Sequence, residues 1–248
     1  MKSVKDTLLL RRSIRRYERE DINPEYMDLI HDAIRNTPTS YNGQQFTVID
    51  IDDQKLKEKL YEIVGAKQIK TCNHFMLFCA DYNKITLMAD KKNIEMPGFT
   101  NTMDGVIAGV VDASLAMMSA LVAAESCGLG TCCIGYARTA SPEGIATALN
   151  LPQGVFAVCG LAIGVPRERP DMKPKQPKSL LIHHNSYRKD DMTAELAEYD
   201  ANVRHFNATR SGEKNDNDWA SHIISYYREA MGYDMLHALA RRGFNIVS

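Results

Sequence analysis

Residues 106–129 read VIAGVVDASLAMMSALVAAESCGL. Their apolar character on nearly every side predicts a helix over 106–127 that is buried all round. Asp112, Ser114, Ser119, Glu125 and Ser126 interrupt the run. A membrane-spanning helix needs about 20 predominantly apolar residues, so a core helix with a few polar contacts is the better account. Gly128-Leu129-Gly130 closes the helix in the manner of a C-terminal glycine cap. This is not a dinucleotide-binding fingerprint, because it lacks the third glycine and ends a helix rather than a strand.

The neighbouring segments follow from this helix outward. Residues 75–80, FMLFCA, are a fully apolar run expected to be a buried strand. Residues 46–51, FTVIDI, read as a β-branched strand, and 54–64 as an amphipathic helix. Asn23-Pro24 starts a helix to about Asn36, with Pro24 at the first helical position. Residues 2–10 predict a leading helix, and 38–45 a polar loop. Downstream, 131–135 read as a short strand, Ser141-Pro142-Glu143 caps a helix to Leu149, and 155–165 form another buried strand. Residues 167–178 are rich in Pro and Lys and should be extended and exposed. Residues 190–206 read as a helix, 210–218 as a polar loop, and one closing helix is expected from Trp219 to about Arg242. Strands alternating with helices define an α/β or α+β class.

Composition narrows the function classes. The chain has 248 residues, 44% hydrophobic and 25% charged, enough for one sizeable core. Its net charge of -1 provides no global field to attract nucleic acid. The cysteines, Cys72, Cys79, Cys127, Cys132, Cys133 and Cys159, form no CxxC pair, and most sit in apolar runs. No apolar signal segment opens the chain, so a reduced cytoplasm is expected. No Cys/His spacing of the zinc-finger kind occurs, and no metal is expected.

Four constellations could carry chemistry. The first is Arg11-Arg12-Ser13-Ile14-Arg15-Arg16-Tyr17. Forked guanidinium donors and a hydroxyl suit a phosphate. A nucleic-acid arm is the rival reading of a basic run, and the balanced charge of the rest counts against it. The second is the loop Pro38-Thr39-Ser40-Tyr41-Asn42-Gly43-Gln44-Gln45, whose amides could meet a ring bearing N–H and C=O groups; an ordinary polar loop is its plainer reading. The third is Cys133-Ile134-Gly135-Tyr136-Ala137-Arg138, where a glycine after a strand end could present backbone N–H groups. The fourth is Pro170-Asp171-Met172-Lys173-Pro174-Lys175, two lysines on an extended backbone that could close the far side of a phosphate or merely form a solvated turn.

In this order, these pieces resemble the nitroreductase family of FMN-dependent NAD(P)H oxidoreductases, in particular its NADPH-flavin reductase and oxygen-insensitive nitroreductase branch. Glu125-Ser126-Cys127-Gly128-Leu129-Gly130, Gly164-Val165-Pro166, the segment from Leu181 to Tyr187, and Asp218-Trp219 add to the match. The resemblance implies an α+β nitroreductase-like fold, with a central, mainly antiparallel sheet flanked by helices and a long buried helix at a dimer interface. It implies a single FMN-binding domain over 1–248, with 173–248 as a C-terminal extension wrapping the partner subunit. It further implies a cytoplasmic homodimer with one FMN in each interface groove. NADPH or NADH would donate hydride by a ping-pong mechanism, and a nitroaromatic, a quinone or free flavin would be the small-molecule acceptor. No nucleic acid and no membrane are implied.

Residue by residue, the resemblance assigns Arg11, Arg12 and Ser13 to the FMN phosphate region, joined by Lys173 and Lys175. Arg15 would lie near N1 and O2 of the ring, where a fixed cation favours reduction. Thr39, Ser40, Asn42 and Gln44 would contact the ring or ribityl chain, in part from the partner. Ile134 and Gly135 would offer backbone N–H groups near N5 and O4, and Arg210 would bind the donor. No side chain is expected to be catalytic, because the flavin carries the chemistry. Two departures stand out. The family's glutamine falls at Ala66, with Gln68 close by. The donor loop reads Lys214-Asn215-Asp216-Asn217 where arginines would favour a 2′-phosphate, so weakened NADPH preference is expected. A flavin store or redox sensor of slow turnover is the alternative to the enzyme. Asp112 and Glu125 are expected to tie helix contacts, His183-His184 to make structural hydrogen bonds, Cys132-Cys133 to pack in the core, and Trp219 to anchor the final helix.

Overall fold

The computed structural model describes residues 1–246. It divides into two compact units, Met1–Arg169 with the segment from Asp234 onward, and Pro170–Tyr233. The first unit holds a four-stranded sheet of β1 (Phe46–Ile51), β2 (His74–Asp81), β3 (Gly130–Ile134) and β4 (Val155–Gly164). The order is β1-β2-β4-β3 and every neighbouring pair is antiparallel. Phe46 faces Ala80, Met76 faces Leu161, and Thr131 faces Ile163.

The helices of the first unit are α1 (Val4–Leu10), α2 (Pro24–Arg35), α3 (Gln54–Val64), α4 (Lys67–Thr71), α5 (Asn83–Lys92), α6 (Met103–Ser126), α7 (Tyr136–Thr139) and α8 (Pro142–Ala148). The second unit contains α9 (Lys178–Leu181), α10 (Thr193–Thr209) and α11 (Trp219–Ala230). The chain then returns to the first unit with α12 (Met235–Arg241).

The continuous apolar run of β2 has a direct cause. Met76, Phe78 and Ala80 enter one core with α2 and α6, while Phe75, Leu77 and Cys79 enter another with α3, α4 and α8. Alternate residues of a strand point to opposite faces, so a strand covered on both sides is apolar at every position. Close approach of α6 to the sheet requires small residues. Ala113, Ala116, Ala120 and Ala124 are fully enclosed, and a Cβ on Gly109 would lie 2.8 Å from Ala80 Cβ.

Two expectations need correction. First, α6 is not buried all round. Ile107, Val111, Leu115 and Met118 are between 41% and 50% exposed and form an apolar stripe at helical spacing. The sheet and α2 cover the other sides of α6, and none of the described residues encloses this one. By length and composition α6 could cross a membrane, but its alanine face is packed on the sheet. Second, the closing helix is two helices. Gly232 favours a break, and Asp234 begins α12 by accepting from the His237 N–H (3.3 Å). Helices α4 and α5 were not visible in the sequence pattern.

Within the second unit, Trp219 anchors α11 as expected. Its ring meets Tyr199 of α10 edge-on with centroids 5.5 Å apart, and Asp200 accepts from the Ala220 N–H (2.7 Å). His183 Nδ1 accepts from the Arg188 N–H (3.1 Å), a structural bond as read from the sequence. Among the described residues no cluster of His, Cys, Asp and Glu is suited to a metal ion.

Candidate active site

The basic segment 11–17 runs beside the start of β3. The Ile14 N–H donates to Thr131 O (2.8 Å), and Ser13 pairs with Thr131 as a parallel bridge. This approach depends on Gly130, because a Cβ there would lie 2.7 Å from Ile14 Cγ1. The Tyr17 hydroxyl donates to Ile14 O (2.6 Å), and burial pushes its pKa far above the ordinary phenol range, so it remains a donor. On the other side the Glu18 N–H donates to Val165 O (2.9 Å) and the Arg167 N–H to Arg16 O (3.0 Å). Glu168 Oε1 accepts from the N–H groups of Arg15 (2.6 Å) and Arg16 (3.2 Å). The segment is thus clamped between the start of β3 and the residues that follow β4.

Arg11 and Arg12 line an open cavity of about 530 Å³ together with Lys2, Glu125, Arg167 and Arg169. The Nε atoms of Arg11 and Arg12 are shielded from solvent and have no hydrogen-bond partner among the described residues. Half-buried guanidinium groups with a shielded spare donor are suited to an anion. Glu125 supports this end of α6, accepting from Thr131 Oγ1 (2.8 Å) at 5% exposure. Burial raises its pKa above the ordinary carboxylate value, against the Thr131 hydrogen bond and the charges of Lys2 and Arg11. Beyond Ile134, Gly135 precedes α7, and a Cβ on it would meet nothing within 4 Å. Cys132 is buried as expected, but Cys133 is exposed, because β3 is an edge strand and adjacent residues point to opposite faces. Both are thiols.

The loop 39–45 is held near the middle of α6. The Ser40 N–H and hydroxyl donate to Asp112 Oδ1 (2.9 and 3.2 Å), and Asp112 is fully enclosed. The Asn42 N–H donates to Thr39 O (3.1 Å) and the Gln44 N–H to Thr39 Oγ1 (3.1 Å). Tyr41, Asn42 and Gln44 have φ of 56°, 53° and 52°, left-handed values that side chains seldom adopt. Such strain persists only where surrounding bonds over-determine the backbone. Asp112 and Glu125 lie about 20 Å apart along the helix axis at the helical rise. Within one chain, therefore, the loop with Thr39, Ser40, Asn42 and Gln44 is anchored near the middle of α6, and the cluster with Arg11, Arg12, Ser13, Arg15, Ile134 and Gly135 lies beside the strand that follows its C-terminal end.

In the second unit, Lys173, Lys175 and Arg210 line one cavity of about 350 Å³ with Tyr199, Trp219 and His222. Arg210 Nε donates to Glu213 O, and Asp216 Oδ2 lies 3.9 Å from Arg204 Nη2. Sequence reasoning missed Glu168, Arg167, Arg169 and Lys2. No short motif contains them with the basic segment, and only the bridge of Tyr17 to Pro166 and the course of α1 bring them there.

Comparison with known proteins places these features in one family. The Nitroreductase family model matches residues 8–165, and the model for the Nitroreductase family C-terminal domain matches residues 173–247. The chain belongs to the nitroreductase family. It is 35% identical over 248 residues to the FMN reductase [NAD(P)H] of Bacillus subtilis (strain 168), covering 99% of both chains. It is 30% identical over 243 residues to a Cr(VI) reductase of Pseudomonas sp. (strain G-1), covering 98% of this chain and 99% of the other. The solved structure of B. megaterium NfrA2 superposes with a TM-score of 0.92 at 32% identity over 100% of both chains. The α+β class and the antiparallel central sheet are those of the nitroreductase fold.

Proposed function

We propose that this protein is a cytoplasmic, FMN-dependent NAD(P)H oxidoreductase that acts as a homodimer. The observation that carries the reading is the pair of shielded, unpartnered guanidinium nitrogens of Arg11 and Arg12 at the rim of an open, basic cavity. The residues present fit FMN. Arg11, Arg12 and Ser13 supply phosphate donors beside β3, and open space at Gly135 leaves its backbone approachable. The same reading assigns Lys173 and Lys175 to the phosphate. When bound, FMN supplies hydride transfer at its N5 position. Arg15, exposed in this segment, would bring a cation to the pole of the ring where negative charge grows on reduction.

The separation of the two halves along α6 supports the dimer. The loop 39–45 of one chain and the Arg cluster of a second would complete a site across the apolar stripe of Ile107, Val111, Leu115 and Met118. Six thiols and no disulfide agree with a reducing compartment. Donor and acceptor use the same open face in turn, a ping-pong cycle, with nitroaromatics, quinones and free flavin as acceptors. The relatives named for FMN and Cr(VI) reduction support broad acceptor use. Arg210 supplies charge for the donor, but Asp216 stands in the same loop, so the preference for NADPH is weakened, NADH is usable and the efficiency ratio stays below about a hundredfold.

The test is the visible spectrum of the purified protein before and after anaerobic NADH, then NADPH. A flavin spectrum bleached by a donor is the expected result. A yellow protein that neither donor bleaches is a flavin store or sensor, and a colourless protein that takes up no added FMN overturns the reading.

A further inference from the structure

Among the described residues, Glu168 is the one carboxylate that binds the backbone of the basic segment. Its Oε1 accepts from two successive N–H groups, those of Arg15 (2.6 Å) and Arg16 (3.2 Å), and its Oε2 lies 3.8 Å from Arg16 Nε. The bridges that hold the segment fall on Ser13 and Tyr17 at either side, so among the described residues the sheet offers these two N–H groups no acceptor. A charged acceptor spanning two adjacent N–H groups makes stronger hydrogen bonds than a neutral one and fixes the peptide plane between them. The side chain of Arg15, by contrast, is exposed, and its one hydrogen bond is a 3.4 Å contact from Nη1 to Ser13 O. Nothing on the side chain itself holds the guanidinium in one place, so its position follows from the backbone at residue 15.

We infer that Glu168 is a positioning residue for the flavin site, fixing the Arg15 backbone so that the guanidinium faces the pole of the ring that gains negative charge on reduction. The inference rests on the FMN reading above and adds the residue that sets the field of that site. Its charge is set against Arg16 rather than Arg15, so its main effect is geometric.

The experiment compares the holoenzyme with Glu168→Ala and Glu168→Gln. The readouts are FMN affinity by fluorescence quenching and midpoint potential by anaerobic dye equilibration. Gln keeps an acceptor oxygen at the same reach, whereas Ala removes it. Glu168→Ala should weaken the binding of reduced FMN about tenfold more than that of oxidised FMN, which lowers the two-electron potential by about 30 mV. Glu168→Gln should have a potential at or above that of the wild type. A potential unchanged or raised in Glu168→Ala overturns the inference, since Glu168 would then be structural or a simple opposing charge. Equal losses in both variants overturn it too. If the wild type itself takes up no FMN, the failure belongs to the cofactor reading. A third variant, Arg15→Ala, checks the route: adding Glu168→Ala to it should leave the potential unchanged, and a further drop overturns the inference.

Discussion

Two carboxylates anchor segments on α6, one near its middle and one at its C-terminal end, and they do different work. Near the middle Asp112, fully enclosed, accepts from the backbone and hydroxyl of Ser40 and secures a strained loop. At the C-terminal end Glu125, also buried, accepts from Thr131, and the backbone of Thr131 in turn holds Ile14 beside Ser13. Asp112 binds its loop directly, whereas Glu125 acts through a strand that has its own ladder to β4. The first anchor depends on one carboxylate; the second is held redundantly by β3, by the Tyr17 hydroxyl and by Glu168.

The largest expected effect breaks the comparison by separating the anchored segments from their counterparts. Leu115→Glu puts a charge in the middle of the apolar stripe. With two copies joined there as proposed, the variant should be a monomer in light scattering and bind FMN at least about tenfold more weakly. A dimeric Leu115→Glu protein with unchanged affinity would mean that this stripe does not join two copies.

Asp112→Ala and Gly130→Ala sharpen the comparison at each anchor. Removing the acceptor of a buried N–H should cost about 1–3 kcal/mol in Asp112→Ala, and proteolysis should then cut first within 39–45. In Gly130→Ala the new methyl group meets Ile14, an overpacking cost of about 1–3 kcal/mol, and FMN affinity falls while the loop keeps its protection. Cleavage in the loop of Gly130→Ala rather than of Asp112→Ala would reverse the assignment.

The smallest effect concerns pH. Because the folded-state pKa of Glu125 is raised, its favourable contribution is complete below the unfolded value of about 4.3 and is lost as pH rises through the folded value. Glu125→Gln keeps the Thr131 acceptor and does not titrate. Its Tm should exceed that of the wild type at pH 7, and the gap should close as the pH falls to about 4. A lower Tm at pH 7 would show that the charge of Glu125 is needed beside Lys2 and Arg11.

Much of the fold was legible because its signals are local. The β1 and α3 bounds, Phe46–Ile51 and Gln54–Val64, coincide with the segments read from β-branching and amphipathic spacing. Ser141, Asn23 and Asp218 each cap a helix through a side-chain acceptor, a pattern fixed within three residues of sequence. The division of the last helix was missed because Tyr233 and Asp234 fit a helical pattern until the Asp234 side chain turns to cap α12. The exposed stripe of α6 was missed because apolar composition does not say which partner, sheet or second chain, covers each side.

The sequence alone determined the family, the basic segment, and the order of strands and helices, because these rest on residue types at short spacing. Tertiary structure decided which groups act together. Only the folding of β4 back beside β3 places Glu168 on the Arg15 and Arg16 amides, more than a hundred residues away in the chain. Only the fold of α6 sets Asp112, which holds Ser40, about 20 Å along the axis from Glu125 and leaves one side of the helix uncovered among the described residues. The physical reason is that hydrogen bonds and packing act over a few ångströms, and the distances between remote residues are set by the fold rather than by any motif.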